Sequence, residues 1–142
     1  MANLLANTRP APGVQLGFFK DRYYGGNNYF HYKTNINMNN IMCTIEAVGY
    51  AYGANQAIRC AWSFYAYAGS NSTINIGTSN VYGGMSAHGV YTPSDGYVVI
   101  RANCASYYSG WVLNAYCLNP TGYNFEVSVT ASVQTDNAGN YY

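Results

Sequence analysis

The sequence predicts an all-β protein, an antiparallel β-sandwich that is jelly-roll-like and carries an extended N-terminal arm. Stretches rich in Tyr, Val, Ile, Thr and Phe alternate apolar with polar residues, as half-buried strands do. No stretch shows a convincing helical pattern. Turn sequences separate the strands, for example GGNN (25–28), GAN (53–55) and NPTG (119–122). Short strands and frequent turns in 142 residues predict one domain built of two packed sheets.

The arm comprises residues 1–15, and the sandwich comprises residues 16–142. The stretch NTRPAPGVQ (7–15) contains two prolines and one glycine, which exclude an interior strand. The arm is either a disordered terminus or a strap that lies across a neighbouring subunit. The polar tail QTDNAGNYY (134–142) either frays into solvent or docks on the rest of the protein. If the arm is a strap, its candidate anchoring residues are Leu4, Leu5, Arg9, Pro10 and Pro12.

Nine strands follow the arm, and side-chain alternation supports five of them. Along each of the five, every second residue is apolar while charged or polar residues such as Glu46, Arg59, Arg101 and Asn114 take the opposite face. We expect strands at residues 16–20, 29–36, 41–50, 56–67, 73–77, 86–91, 97–104, 110–118 and 125–133. The expected inward sets are Ile41, Cys43, Ile45 and Ala47; Ile58, Cys60, Trp62 and Phe64; Val98, Ile100, Ala102 and Cys104; Trp111, Leu113, Ala115 and Cys117; and Phe125, Val127, Val129, Ala131 and Val133.

All four cysteines fall in these inward sets. A buried thiol acts as a small apolar side chain, so we expect reduced core cysteines. The alternative is that Cys43 pairs with Cys60, or Cys104 with Cys117, across adjacent strands. Such a disulfide forms only where the distance and orientation of the two cysteines allow it. The sequence has no Cys-x-x-Cys pair, and its two histidines stand far from any cysteine. We therefore predict neither a metal site nor a cofactor.

The chain carries very little charge, with 8% Asp, Glu, Lys and Arg and a formal net charge of +1. It offers no basic stripe for phosphates, which argues against nucleic acid and against an anionic membrane surface as partners. No segment approaches the roughly 20 apolar residues that cross a bilayer, and the first residues lack the apolar run of a signal peptide. Weak self-repulsion favours association of identical subunits, so we expect a homo-oligomer.

The stretch GGMSAHG (83–89) raises the question of a hydrolytic triad with Ser86, His88 and Asp95. A nucleophile elbow requires Gly-x-Ser-x-Gly between a strand and a helix, whereas here His88 takes the fifth position and no helix follows. Asp95 belongs to a turn sequence, TPSDGY (92–97). We predict that the protein is not an enzyme.

Several of the 17 tyrosines come in close pairs at or near loops, beside Gly, Asn and Ser. This composition is typical of recognition surfaces, because a rigid ring with one hydroxyl gives a large contact area at low entropic cost. Any single tyrosine has the alternative of filling the core or its rim. Sugar rings and uncharged protein surfaces are both suitable targets. The candidate recognition residues are Tyr50, Tyr52, Tyr65, Tyr67, Tyr107 and Tyr108.

Three stretches carry a family resemblance: YFHYKTNINMNNIMCTIEAVGYAYG (29–53), YTPSDGYVVIRANCASYYSGWVLNAYCLNPTGYNFEVSVTAS (91–132) and AGNYY (138–142). They resemble the β-sandwich modules of tail-fibre and other virion structural proteins of marine bacteriophages. The resemblance implies a non-enzymatic virion protein, assembled in the host cytoplasm and trimeric or otherwise symmetric, with a trimer favoured. Our first hypothesis is that the protein binds other virion proteins and takes part in host attachment, with the tyrosine-rich loops contacting host surface glycans. The alternatives are a capsid decoration (cement) protein and a free carbohydrate-binding module.

Overall fold

The computed structural model describes residues 16–20, 28–37, 40–69, 72–118 and 127–142. The predicted arm (1–15), with its candidate anchors Leu4, Leu5, Arg9, Pro10 and Pro12, lies outside the described residues. Within the described ranges the chain forms nine strands and no helix. They are β1 (Leu16–Lys20), β2 (Tyr29–Thr34), β3 (Ile41–Ala51), β4 (Gln56–Tyr67), β5 (Ser72–Gly83), β6 (Ser86–Tyr91), β7 (Val99–Asn103), β8 (Ser109–Leu118) and β9 (Val129–Thr135).

The strands form two antiparallel sheets, which confirms the predicted β-sandwich. Sheet A has five strands in the order β1-β8-β3-β4-β5, and sheet B has four in the order β6-β7-β2-β9. Hairpins link β3 to β4, β4 to β5 and β6 to β7, and every other connection passes from one sheet to the other. These repeated crossings place β8 beside both β1 and β3, and they give the fold its jelly-roll-like wrapping.

The core lies between the sheets and contains the predicted inward residues of β3, β4, β8 and the segment around β7, together with Phe30 and Tyr32 of β2. All eight predicted inward residues of β3 and β4 are buried, and Trp62 and Tyr32 are fully enclosed. Two indole hydrogen bonds join sheet A to sheet B. The Trp111 Nε1 donates to the Tyr32 hydroxyl at 3.0 Å, and the Trp62 Nε1 donates to the Arg101 carbonyl at 2.7 Å. The buried polar atoms of these Trp and Tyr side chains are therefore hydrogen-bonded, which compensates for the hydrogen bonds to water that they lose on burial.

The last predicted inward set is wrong in part. Val127 is buried, but Ala131 and Val133 pair with Lys33 and His31 on the outer side of β2, because a β-bulge shifts the register there. Phe125 lies outside the described residues.

Most strand bounds agree with the prediction, and the main difference is the length of β5. The prediction ended this strand at residue 77, whereas β5 continues to Gly83. Residues 76–83 are exposed on both faces and show no apolar alternation. They are extended because they pair with β4 along its length. At the other end of the chain, β9 begins at Val129 and is only partly buried, as befits an edge strand.

The cysteines differ from the expectation of four reduced thiols, because Cys43 and Cys117 form a disulfide. They lie directly opposite each other on β3 and β8, with their Cα atoms 4.2 Å apart. Neither alternative pairing forms: Cys43 faces Phe64 rather than Cys60 on β4, and Cys104 follows β7 in the other sheet. Cys60 and Cys104 remain buried thiols, and burial raises the pKa of Cys60 to about 12.

Candidate functional site

Three of the predicted tyrosines meet at one end of the sandwich and form what we call the tyrosine cluster. Tyr52 lies in the β3–β4 turn, and Tyr107 and Tyr108 lie in the loop between β7 and β8. The ring centroids are 6.1 Å apart for Tyr52 and Tyr107, 6.3 Å for Tyr52 and Tyr108, and 6.2 Å for Tyr107 and Tyr108. The three interplanar angles are 78°, 69° and 85°, so the rings meet edge to face, which is a favoured aromatic geometry.

Backbone contacts between the two loops hold the cluster in place. The Tyr52 N–H donates to the Tyr108 carbonyl at 3.2 Å, and the Gly53 N–H donates to the Tyr107 carbonyl at 3.1 Å. A Cβ atom at Gly53 would lie 2.5 Å from the Tyr107 ring, so only glycine lets this ring pack on the turn. Tyr108 has a φ of 49°, in the left-handed region that costs a bulky residue free energy. The surrounding hydrogen bonds therefore fix the loop conformation.

The cluster is open to solvent and borders an uncharged cleft. Tyr52, Tyr107 and Tyr108 are 63%, 42% and 54% exposed, although each carries a large apolar ring. The cleft has a volume of about 470 Å³, within the range of small-molecule sites. It is lined by Gly53, Ala54, Ala105, Ser106 and Tyr107. This arrangement suits a neutral ligand with a flat apolar side and a few hydroxyl groups.

Tyr50 borders this end of the molecule on the outer face of sheet A. Its hydroxyl donates to the Asn55 side-chain carbonyl, which ties the last outward residue of β3 to the turn. Asn55 has a φ of 52°, a conformation that asparagine adopts more readily than most residues. Tyr50 therefore supports the turn that carries Tyr52.

Tyr65 and Tyr67 lie elsewhere and form a separate pair. Their ring centroids are 5.5 Å apart near the end of β4. Tyr65 pairs with Met42, eight positions before Tyr50 on β3, which corresponds to a distance of about 27 Å along the strand. The six predicted recognition residues therefore form two surfaces at opposite ends of sheet A.

The outer face of sheet A is exposed and nearly uncharged. Glu46 and Arg59 are the only charged residues of β3, β4 and β8. The Tyr116 hydroxyl donates to the Glu46 carboxylate at 3.0 Å, and this hydrogen bond raises the pKa of Tyr116. Val48 and Val112 lie directly opposite each other in the ladder. On β3, β4 and β8, the exposed large apolar residues of this face are Met42, Val48, Tyr50, Tyr67, Val112 and Tyr116.

Ser86, His88 and Asp95 each have a local role in the structure. Asp95 forms an ion pair with Lys33, and the Lys33 hydrogen bond lowers the pKa of this carboxyl. The exposed His88 ring packs edge-on against Tyr29, with the centroids 5.1 Å apart. Ser86 pairs with a β7 residue in the ladder of sheet B.

The sequence left open whether the tail frays or docks, and the structure shows that it docks. Residues 136–142, which we call the C-terminal strap, lie across the outer face of sheet B and contact His31, Tyr91 and Arg101. These three residues were not among the sequence candidates. His31 occupies an outward position of β2 and is nevertheless fully buried. A single histidine at an outward-facing position of a strand does not by itself predict that its side chain is buried.

The described residues contain neither a cluster of metal-ligating side chains nor a membrane-spanning helix. Among them, no group of three or more His, Cys, Asp or Glu side chains is placed to hold a metal ion. The same part of the chain contains no helix long and apolar enough to cross a membrane.

Comparison with known proteins found no matching family model, no matching curated protein and no matching solved structure.

Proposed function

We propose that the protein is a non-enzymatic structural protein of a bacteriophage virion, a tail-fibre-type module that binds other virion subunits and takes part in host attachment. The observation that carries the attachment role is the tyrosine cluster, three exposed rings held by two loops beside an uncharged cleft. The virion setting depends on the resemblance of residues 29–53 and 91–132 to tail-fibre modules.

Neutral glycans on the host surface are the proposed ligands of the cluster. A sugar ring has an apolar face that stacks on an aromatic ring and a rim of hydroxyls that hydrogen-bonds with tyrosine and serine hydroxyls. The cleft offers both groups through Tyr107 and Ser106 and carries no charge. Because loop contacts already fix the rings, a ligand meets an ordered surface, and binding costs less conformational entropy.

The outer face of sheet A is the proposed contact with other subunits, identical copies in the first place, with a trimer favoured. The four long strands β8, β3, β4 and β5 are 10 to 12 residues long. At a spacing of about 4.8 Å they cover roughly 700 Å², close to the ~800 Å² per partner of a stable interface. The face combines exposed Val48, Val112 and Met42 with very little charge. On sheet B, in contrast, the C-terminal strap occupies the part of the outer face around His31, Tyr91 and Arg101.

A glycan array tests the attachment role with the labelled full chain and two matched double variants. Tyr52→Ala/Tyr107→Ala removes two rings of the cluster, and Tyr65→Ala/Tyr67→Ala removes the pair at the other end of sheet A. We expect neutral glycans to bind the wild type and the second variant but not the first. The thermal midpoints should stay nearly unchanged, because none of the four rings belongs to the buried core.

The pattern of losses decides between the surfaces. Loss of binding only in the Tyr65→Ala/Tyr67→Ala variant would show that the recognition surface lies on β4 instead. Equal binding by all three proteins, or no glycan binding by the wild type, would contradict glycan recognition by either pair.

Immunogold labelling of intact virions tests the setting. Label at the tail or fibre ends supports the tail-fibre module, and label spread over the head would identify a capsid decoration protein instead. Absence of label from every particle would leave a free carbohydrate-binding module. Light scattering of the purified chain tests the oligomer, and a strict monomer at all concentrations would contradict subunit contacts between identical copies.

A further inference from the structure

The C-terminal strap makes polar contacts with sheet B along most of its length. The Asn137 carbonyl lies 2.8 Å from His31 Nε2, and the Arg101 guanidinium donates to the Ala138 carbonyl at 2.6 Å. Within the strap, the Gly139 N–H donates to the Asn137 side chain at 2.8 Å, which shapes the turn. The strap thereby covers His31, which is fully buried on the outer side of β2.

The Tyr91 hydroxyl is the centre of the contact. Its oxygen lies 2.9 Å from His31 Nδ1, 3.1 Å from the Tyr141 N–H nitrogen and 3.3 Å from the Tyr142 N–H nitrogen. A phenol has one proton to donate and an oxygen that accepts. Since both backbone groups can only donate, the Tyr91 oxygen accepts from them and its proton goes to His31 Nδ1.

This network fixes the protonation state of His31. The Asn137 carbonyl can only accept, so His31 Nε2 carries the ring proton and Nδ1 is the acceptor for Tyr91. The neutral ring therefore satisfies both of its nitrogen atoms.

A second proton on His31 conflicts with the network. It would lie on Nδ1 and point at the Tyr91 oxygen, which already accepts the Tyr141 and Tyr142 N–H groups. The Tyr91 proton would lose its acceptor as well. At least one contact between Tyr91 and the strap has to break, because the hydroxyl oxygen has two lone pairs and the two strap N–H groups already use both.

The surrounding charges also oppose protonation. The Arg101 guanidinium lies over the Tyr91 ring, 5.4 Å from its centroid. Burial lowers the pKa of His31 from its ordinary value of 6.5, the hydrogen bond to Asn137 acts against this, and the positive charges of Arg101 and His88 lower the pKa further. The charged and titratable groups on the same face as His31 are Tyr29 and Lys33 on β2, His88 and Tyr91 on β6, Arg101 on β7, and Asp136, Tyr141 and Tyr142 in the strap, and β9 contributes none.

We propose that the C-terminal strap is a pH-sensitive latch, docked on sheet B while His31 is neutral and released when His31 takes up a proton. The docked strap binds the neutral ring better than the charged ring, so docking is fully stable above pH 6.5 and weakens as the pH falls below it. Because one proton is taken up, the ratio of open to docked protein rises up to about tenfold per pH unit in this range. Opening uncovers His31 and Tyr91 on the outer face of sheet B.

Nuclear magnetic resonance of the isotope-labelled full chain tests the latch between pH 8 and pH 4.5. Two quantities are followed together: the titration of the His31 ring nitrogens, and the hydrogen-exchange protection of the Tyr141 and Tyr142 amides, corrected for the intrinsic exchange rate at each pH. We expect both strap amides to lose protection over the pH range in which His31 titrates, while amides of the β3–β4 ladder keep theirs.

Three variants separate the latch from a general effect of acid. His31→Gln cannot titrate, so protection of the strap amides should become independent of pH. His88→Gln removes the chain's other histidine, which is exposed, and should still lose strap protection on acidification, because His88 makes the smallest contribution to the lowered pKa of His31. Tyr91→Phe removes the shared hydroxyl and should leave both strap amides unprotected already at pH 8, in a folded sandwich.

Two results would overturn the latch. One is a strap that stays protected while His31 titrates. The other is a His31→Gln variant that loses protection along the wild-type pH curve. If His31→Gln fails to fold, the wild-type titration and Tyr91→Phe still decide the question.

Discussion

Breaking the Cys43–Cys117 disulfide is expected to lower the free energy of unfolding by about 4 kcal/mol. The bridge joins residues 74 positions apart. The loop-closure entropy of a loop of that length is about 15 cal/mol/K, which corresponds to about 4.5 kcal/mol at 25 °C. The two cysteines also face each other through the backbone pairing of β3 and β8. Reduction should therefore leave the folded sheet intact and act mainly by freeing the unfolded chain.

Urea unfolding followed by tryptophan fluorescence, with and without a phosphine reductant, measures this difference. With a slope of about 2 kcal/mol/M, the midpoint should fall by about 2 M on reduction. Each curve is fitted with its own slope, because the reduced chain exposes more surface when it unfolds.

The double variant Cys43→Ala/Cys117→Ala is the matched control. Cys60 and Cys104 are thiols, so the reductant should leave the unfolding curve of this variant unchanged. If reduction lowers the free energy of unfolding of the wild type by less than about 1 kcal/mol, the loop-entropy reasoning is refuted.

Three further measurements address the core and the surface. Gly49→Ala should lower the free energy of unfolding by about 3 kcal/mol in urea, because its Cβ would lie 2.6 Å from the Trp111 Cα, and an unchanged midpoint would contradict this close approach. Cys60 has a thiol pKa of about 12 and is buried, so mass spectrometry should find it unalkylated by iodoacetamide at pH 8 until urea unfolds the protein. Lys33→Met should cost less than about 1 kcal/mol at pH 7, because its ion pair with Asp95 is partly exposed. Since this pairing lowers the carboxyl pKa from 3.8, its contribution is present above that pH and is lost in stronger acid, so wild type and variant should converge at pH 2.

The sequence predicts well those strands that have one buried face. The alternation along β3 and β4 predicts their inward residues because each side chain's environment follows from its own position in the pleat. The second half of β5 lacks this signal, since both of its faces are exposed. Its extended conformation comes from hydrogen bonding to β4, and local composition does not carry that information.

The sequence pattern also does not predict which strands are neighbours in a sheet. Alternation places Cys43 and Cys117 correctly on inward faces, but the disulfide depends on β8 lying beside β3. That placement results from chain connections that cross between the sheets. The alternation of apolar and polar residues within a strand carries no information about these connections. The same limit applies to the strap, because nothing in the alternation of β2 indicates that the tail covers His31.

The tyrosine pairs are a third case, since composition indicates a recognition surface without showing which loops meet. The structure joins Tyr52 to Tyr107 and Tyr108 and leaves Tyr65 and Tyr67 apart. Pairs that are adjacent in sequence therefore belong to different surfaces.

The location of the tyrosine cluster makes the two parts of the proposed function compatible. The cluster lies at an end of the sandwich, whereas the proposed subunit contacts lie on the outer face of sheet A. Packing of that face against another copy would bury Val48 and Val112 and leave the loops around Tyr52 and Tyr107 accessible. In a symmetric trimer whose axis runs along the strands, three clusters would then face the same direction. Weak binding of one sugar at each cluster becomes strong when the three engage one surface together, because the second and third contacts form at a high effective concentration. A small neutral cleft is then sufficient for attachment, and a single cluster needs only modest affinity.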